Sequence, residues 1–170
     1  MTSIVSAPAA IADSPARGLV CRACGAEYPL IAQLFGKHGF AEVTKANFAA
    51  WTQAIGRSLL LFIEDPGRYK ETLDLAVIVP ELCRAFPGRF EVGVLLPEAA
   101  REIAVHYGFR RWPAFVILAD GKYVGAVDGL RNWDEYLAEV GHLLDATPTR
   151  PPTLGIAVRG GGEGAGSCHA

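Results

Sequence analysis

No apolar run in this 170-residue chain approaches the roughly 18 residues that a membrane-spanning helix needs, so no direct membrane insertion is expected. Positive charge is scarce as well: Lys and Arg total 16 against 18 Asp and Glu, a net charge of −2. Binders of nucleic acid carry a basic patch or a high pI, and that class of partner drops out. The familiar catalytic signatures are missing too. There is no P-loop, no GxSxG, no dinucleotide fingerprint and no nucleophile–base constellation, and no cofactor is implied. His38, His106 and His142 are scattered, without HxxxH spacing or a carboxylate companion. Met1 to Val20 lacks a basic n-region, and Pro8, Asp13 and Pro15 interrupt its small apolar residues, which makes a poor secretory signal. The expected compartment is therefore cytoplasmic, where the four Cys stand free or bind metal rather than form structural disulfides.

What is present suits a folded core: 51% of residues are hydrophobic and 20% charged, far from a disordered composition. Three stretches are expected. Residues 1–27 are rich in small residues, Ser and Pro, and read as a flexible arm; residues 28–146 carry periodic patterns; residues 147–170 are dominated by Pro and Gly. Within that tail, Leu154 to Arg159 could order against a partner.

Along the periodic part, Pro29 to His38 predicts a helix with Leu30, Ile31, Leu34 and Phe35 on one face, stopped by Gly39. Phe40 to Val43 predicts a short strand. Thr44 can cap a helix in which Phe48, Trp51 and Ile55 recur at helical spacing. Ser58 to Ile63 is apolar after its first residue and predicts a central strand. A helix over Tyr69 to Phe86 contains Pro80, and Cys83 falls within it as a buried structural thiol. Arg89 to Leu96 holds the next strand, and Pro97 opens a helix with Ala99, Ile103, Ala104 and Tyr107 as its stripe. Ala114 to Ala119 is continuously apolar, Asp120-Gly121 turns the chain, and Tyr123 to Val127 returns. Pro113 must sit at that strand's start, and the Trp112–Pro113 bond is a candidate for the cis form. Asn132 can cap a last helix with Trp133, Tyr136, Leu137, Val140 and Leu144 on one face. The order is αβαβαβαββα.

A helix ending in Tyr107-Gly108, a turn, an X-Pro bond, a hydrophobic strand, Asp-Gly and a second strand resembles the C-terminal half of a thioredoxin. That implies an α/β thioredoxin-like fold, a mixed central sheet flanked by helices. Gly108-Phe109-Arg110-Arg111-Trp112-Pro113-Ala114, Asp65-Pro66-Gly67-Arg68-Tyr69, Glu71 to Leu82 and Asn132 to Tyr136 are more specific. They are similar to hydrogenase expression/formation proteins of the HupG/HyaE/HoxO type, which are thioredoxin-like and lack the redox cysteines. In thioredoxins the second redox Cys lies five residues before the interior helix Pro and the first three residues earlier. Counted back from Pro80, those positions are Leu75 and Thr72. Neither side chain supplies a thiolate, so the chain is not expected to be an enzyme.

The resemblance implies an accessory chaperone whose partner is the iron–sulfur small-subunit precursor of a [NiFe]-hydrogenase, with its twin-arginine signal, and possibly a second maturation factor. Two sets of residues are candidates for gripping it. Arg110, Arg111, Trp112 and Pro113 form a loop that faces substrate in thioredoxin folds; the alternative is that Trp112 packs onto the domain and both Arg are solvated. Asp65, Glu71, Asp74 and Glu81, with Glu64, could accept a basic peptide; the alternative is an ordinary solvated helix face. Cys21-x-x-Cys24, with Cys168 and His169, leaves a redox or metal-binding function as the other reading.

Overall fold

A computed structural model describes residues 28–152. The elements follow in the expected order: α1 (Pro29–Gly36), β1 (Ala41–Glu42), α2 (Phe48–Ala54), β2 (Arg57–Phe62), α3 (Glu71–Ala85), β3 (Glu91–Leu95), α4 (Pro97–Ala104), β4 (Ala114–Ala119), β5 (Lys122–Asp128) and α5 (Trp133–Asp145). The sheet runs β1-β3-β2-β4-β5. β2 lies parallel to β3 and antiparallel to β4, and β5 closes the far side as the second arm of a hairpin. This is a thioredoxin-like fold.

The apolar run of β2 is explained by helices on both faces. Leu59, Leu61 and Ile63 point to one side, against Ile31 and Leu34 of α1, Leu75 and Val79 of α3, and Tyr136 and Val140 of α5. Leu60 and Phe62 point to the other, against Ala100 and Ile103 of α4, Tyr107 and Trp51. Alternate side chains of a strand face opposite ways, so a strand sandwiched between two layers is apolar throughout. Fully burying each such side chain contributes about 1.5–3 kcal/mol.

Several local expectations shift. Leu30 is exposed while Ile31 and Leu34 are buried, so the inward face of α1 is narrower than its apolar residues suggest. Ala100, not Ala99 or Ala104, completes the buried stripe of α4. Trp133, the first residue of α5, is exposed, so the buried face of that helix begins at Tyr136. Thr44 caps the turn before α2 rather than the helix itself: its Oγ1 accepts from Asn47 N–H at 3.4 Å, while its own N–H donates to Asn47 Oδ1 at 2.7 Å. Cys83 is half-buried rather than buried.

The hairpin turn takes Asp120 and Gly121 at φ 49° and 73°, a pair of positive values that favours Gly at the second position. Beyond α5, residues 147–152 continue along the outer edge of β5. Thr149 N–H donates to the Tyr123 carbonyl at 2.7 Å. The Pro152 carbonyl then lies where a Cβ on Gly108 would be, and Gly108 adopts φ 65°. Among the described residues, no helix is long and apolar enough to cross a membrane.

Candidate functional site

The loop from Phe109 to Trp112 is pinned at both ends. Arg110 N–H donates to Asp128 Oδ2 at 3.1 Å, and the carbonyl of Pro113 accepts from Gly129 N–H at 2.9 Å. The Trp112–Pro113 peptide is cis. Between those two ties, the backbone N–H and C=O groups of Arg111 and Trp112 have no hydrogen-bond partner among the described residues. Buried backbone polar groups are almost always paired, so two successive unpaired residues mark a segment open to solvent or to a ligand strand.

Trp112 is half-buried and meets Phe109 edge-on, with ring centroids 5.3 Å apart; Phe109 meets Phe62 in the same way at 5.1 Å. Edge-to-face contacts of this kind hold aromatic rings in defined orientations. The loop is therefore rooted in the core through three rings, while Arg110 and Arg111 point to solvent. One edge of Trp112 packs on the domain, and the ring also lines a cavity.

That cavity, about 600 Å³, is bounded by Tyr69, Glu71, Arg110, Arg111, Trp112, Gly129 and Leu130. Three of these were not among the site residues expected from the sequence: Tyr69 and Leu130, both more than a third exposed, add apolar surface, and Gly129 turns the chain at φ 68° beside Arg111. Glu71 comes from the first turn of α3, where a carboxylate suits the positive end of the helix.

The other candidate carboxylates do not gather there. Asp65 closes the turn before α3, its Oδ1 accepting from Gly67 N–H at 2.8 Å. Asp74 is exposed on α3 and near enough to Tyr136 for its charge to raise that phenol's pKa, after burial and against opposing contacts. Glu81 pairs with Arg84 at 2.5 Å, one turn on. Glu64 is withdrawn from the acidic face altogether. It is buried and held by two nitrogens of Arg101, with Nε 2.6 Å from Oε2 and Nη2 on Oε1. Burial raises the carboxyl's pKa, yet the Arg101 guanidinium, the Asp65 N–H and the charge of Arg68 outweigh it and hold the group below its ordinary 4.5.

Thr72 and Leu75, at the positions of a thioredoxin's redox pair, are both buried on α3. Thr72 Oγ1 has no hydrogen-bond partner among the described residues. Burial pushes the Cys83 thiol up to about 11, so little thiolate forms at neutral pH. Among the described residues, no group of three or more His, Cys, Asp or Glu is arranged to hold a metal ion. Cys21, Cys24, Cys168 and His169 lie outside the described residues.

With this geometry in place, the comparison with known proteins is specific. The family model for the hydrogenase-1 expression protein HyaE matches residues 30–136, which include the pinned loop and the cavity. The chain belongs to the HyaE family. Its relatives include the hydrogenase expression/formation protein HoxO of Cupriavidus necator, 39% identical over 143 residues, covering 83% of this chain and 88% of that protein. HupG of Rhodobacter capsulatus, also a hydrogenase expression/formation protein, is 31% identical over 123 residues, covering 72% and 89%. HoxO of Azotobacter vinelandii is 34% identical over 117 residues, covering 69% and 78%. This HyaE-family chain thus places a thiol-free helix start opposite an unpaired, aromatic-rooted loop.

Proposed function

We propose that this protein is a non-catalytic accessory chaperone of [NiFe]-hydrogenase maturation. It binds the iron–sulfur small-subunit precursor, in the cytoplasm, before assembly and export. The observation that carries the reading is the open backbone of Arg111 and Trp112 above the cavity, in a chain whose relatives are named hydrogenase expression/formation proteins. An extended peptide adds to such a backbone by main-chain hydrogen bonds, and alternate side chains drop into the pocket beside it. Trp112, Tyr69 and Leu130 offer the apolar contacts and Glu71 accepts from a basic residue. Asp74 on α3 offers a further carboxylate for a longer basic segment, while Asp65 lies in the turn before the helix and Glu81 would have to exchange Arg84 for the partner.

The non-catalytic reading is supported by the chemistry at the same place. Thiol–disulfide exchange needs an attacking and a resolving thiol, and Thr72 and Leu75 supply neither. Calorimetric titration with the small-subunit precursor, with and without its signal peptide, tests the reading. Saturable binding to at least one form is expected; no binding to either overturns it. An oxidoreductase or metal carrier working through Cys21 and Cys24 would instead lose insulin reduction or bound metal on Cys21→Ser/Cys24→Ser substitution.

A further inference from the structure

The cavity beside the cis-proline loop is lined by charges of both signs that do not meet. Arg110 and Arg111 stand on its loop wall and Glu71 on its α3 wall. Neither guanidinium forms an ion pair with Glu71, or with any other carboxylate, among the described residues. Other arginines are engaged. Arg57 donates to the Leu143 and Ala146 carbonyls, Arg84 meets Glu81, Arg89 meets Asp145 and Arg101 holds Glu64. Asp128 does not neutralise the loop: its Oδ2 accepts the Arg110 backbone N–H, and its Oδ1 lies 3.6 Å from Arg131 Nη2. The stem of Arg111 lies over Gly129, with Cδ 3.4 Å from where a Cβ on that residue would stand. Two cations and one anion thus line a common space of about 600 Å³, with Tyr69, Trp112 and Leu130 as its apolar lining. Leu154 to Arg159, the tail segment that could order against a partner, lie outside the described residues.

We infer that the occupant of this cavity is an extended partner segment of mixed charge: a basic residue for Glu71, an apolar side chain for Trp112, and an acidic residue for Arg110 and Arg111. Alternate residues of a strand share a face, so the three fall at i, i+2 and i+4, a span of about 13 Å. The open N–H and C=O groups of Arg111 and Trp112 supply main-chain bonds to such a strand. Guanidinium–carboxylate contacts are charge-assisted, and the planar fork of Arg suits a two-point grip. A purely basic segment would satisfy Glu71 and set its remaining charge against two guanidiniums. A purely acidic one would satisfy the loop and be repelled by Glu71. Like charges brought together select against both. The inference deepens the chaperone reading and rests on it for the identity of the partner. Within the small-subunit precursor it assigns the cavity to a stretch of both signs, its basic end towards α3, rather than to consecutive arginines.

The test titrates the full chain with capped peptides and follows the amide signals of Arg111, Trp112 and Leu130 by NMR. The mixed peptide is Ser-Lys-Ser-Leu-Ser-Asp-Ser, used also in reverse order because the strand can run either way. Its controls carry Lys at both charged positions or Asp at both. One order of the mixed peptide is expected to bind at least about tenfold more tightly than either control, and added salt should narrow the gap. That preference should disappear in Arg110→Glu/Arg111→Glu and largely survive in Arg110→Lys/Arg111→Lys, which keeps the charge. Unchanged signals from β2 report that each variant is folded. Equal binding of all the peptides, tighter binding of either control, or no shift with any of them overturns the inference. Titration with the small-subunit precursor separates the two ideas. Precursor binding that Arg110→Glu/Arg111→Glu leaves unchanged sinks the charge assignment alone. Discrimination among the peptides with no precursor binding sinks the chaperone reading alone.

Discussion

Arg101 on α4 grips Glu64, just past the end of β2, through two nitrogens, so the strand that leads into the candidate site is anchored to the opposite helix layer. Glu64 is buried while Arg101 is about half exposed, so the pair is only partly desolvated. Removing the cation strands a buried carboxylate, which costs about 3–5 kcal/mol when both charges are fully buried. With one partner reached by water the expected loss for Arg101→Met is smaller, about 2–3 kcal/mol, read from urea midpoints.

The same pair predicts a pH dependence. The Glu64 carboxyl titrates below its unfolded value of 4.5, so its stabilising effect is complete above that value and is lost as pH falls through the folded-state value. Urea midpoints of the native chain should therefore decline below about pH 5. In Glu64→Gln the decline is shallower, because the side chain no longer takes up a proton. Equal slopes in the two proteins would show that other carboxylates control acid unfolding.

Close packing sets a second contrast. A Cβ at Gly93 would lie 2.6 Å from Val43 Cγ2 and 2.7 Å from the Trp51 ring, so Gly93→Ala should cost about 1–3 kcal/mol and alter the Trp51 environment. Gly36, at the end of α1, has no atom within 4 Å of its would-be Cβ. Gly36→Ala should be neutral or stabilising by up to about 1 kcal/mol, since Gly loses more freedom on folding. Thermal melts of both variants check the pair.

Thr72 gives a prediction of opposite sign to most core changes. Its buried hydroxyl has no partner among the described residues, and an unmet buried polar group costs about 1–3 kcal/mol. Thr72→Val keeps the shape and removes the hydroxyl, so it should stabilise by about 1 kcal/mol in denaturant titration. Destabilisation would mean that the hydroxyl is satisfied in solution.

Cys83 should resist alkylation. With its thiol pushed up from 9.0 to about 11, the thiolate fraction at pH 8 falls about a hundredfold. Peptide-level mass spectrometry after iodoacetamide treatment should find Cys83 unlabelled in the native protein and labelled in denaturant.

The element order was legible because local chemistry sets it, and the Trp112–Pro113 bond was a candidate for the cis form because X–Pro bonds alone take that form at modest cost. Pro97 starts α4 where its missing N–H costs nothing, Asp120-Gly121 takes the positive φ values of a two-residue turn, and Pro113 stands at the entrance of β4. The site was legible only where it is continuous in sequence, from Arg110 to Pro113. Leu130 and Gly129 come to the cavity through the β5–α5 connection, and Tyr69 through the turn before α3. Pairings across the sheet carry no local signature. Glu64 looked like part of an acidic face because Arg101, its partner, lies 37 residues away. The hold of Thr149 on Tyr123 was invisible for the same reason, since a Pro-rich composition says nothing of which edge it follows.

The central claim is that the pinned loop grips the hydrogenase small-subunit precursor. Its most direct test is calorimetric titration of that precursor into the native chain and into an Arg111→Ala/Trp112→Ala variant. Arg111 is exposed, but Trp112 is half-buried against Phe109 at the edge of the core, so the urea midpoint of the variant is measured first to show that it is folded. The account predicts that the variant binds at least tenfold more weakly, a loss above about 1.4 kcal/mol. Equal affinities would contradict it and move the contact away from the cis-proline loop.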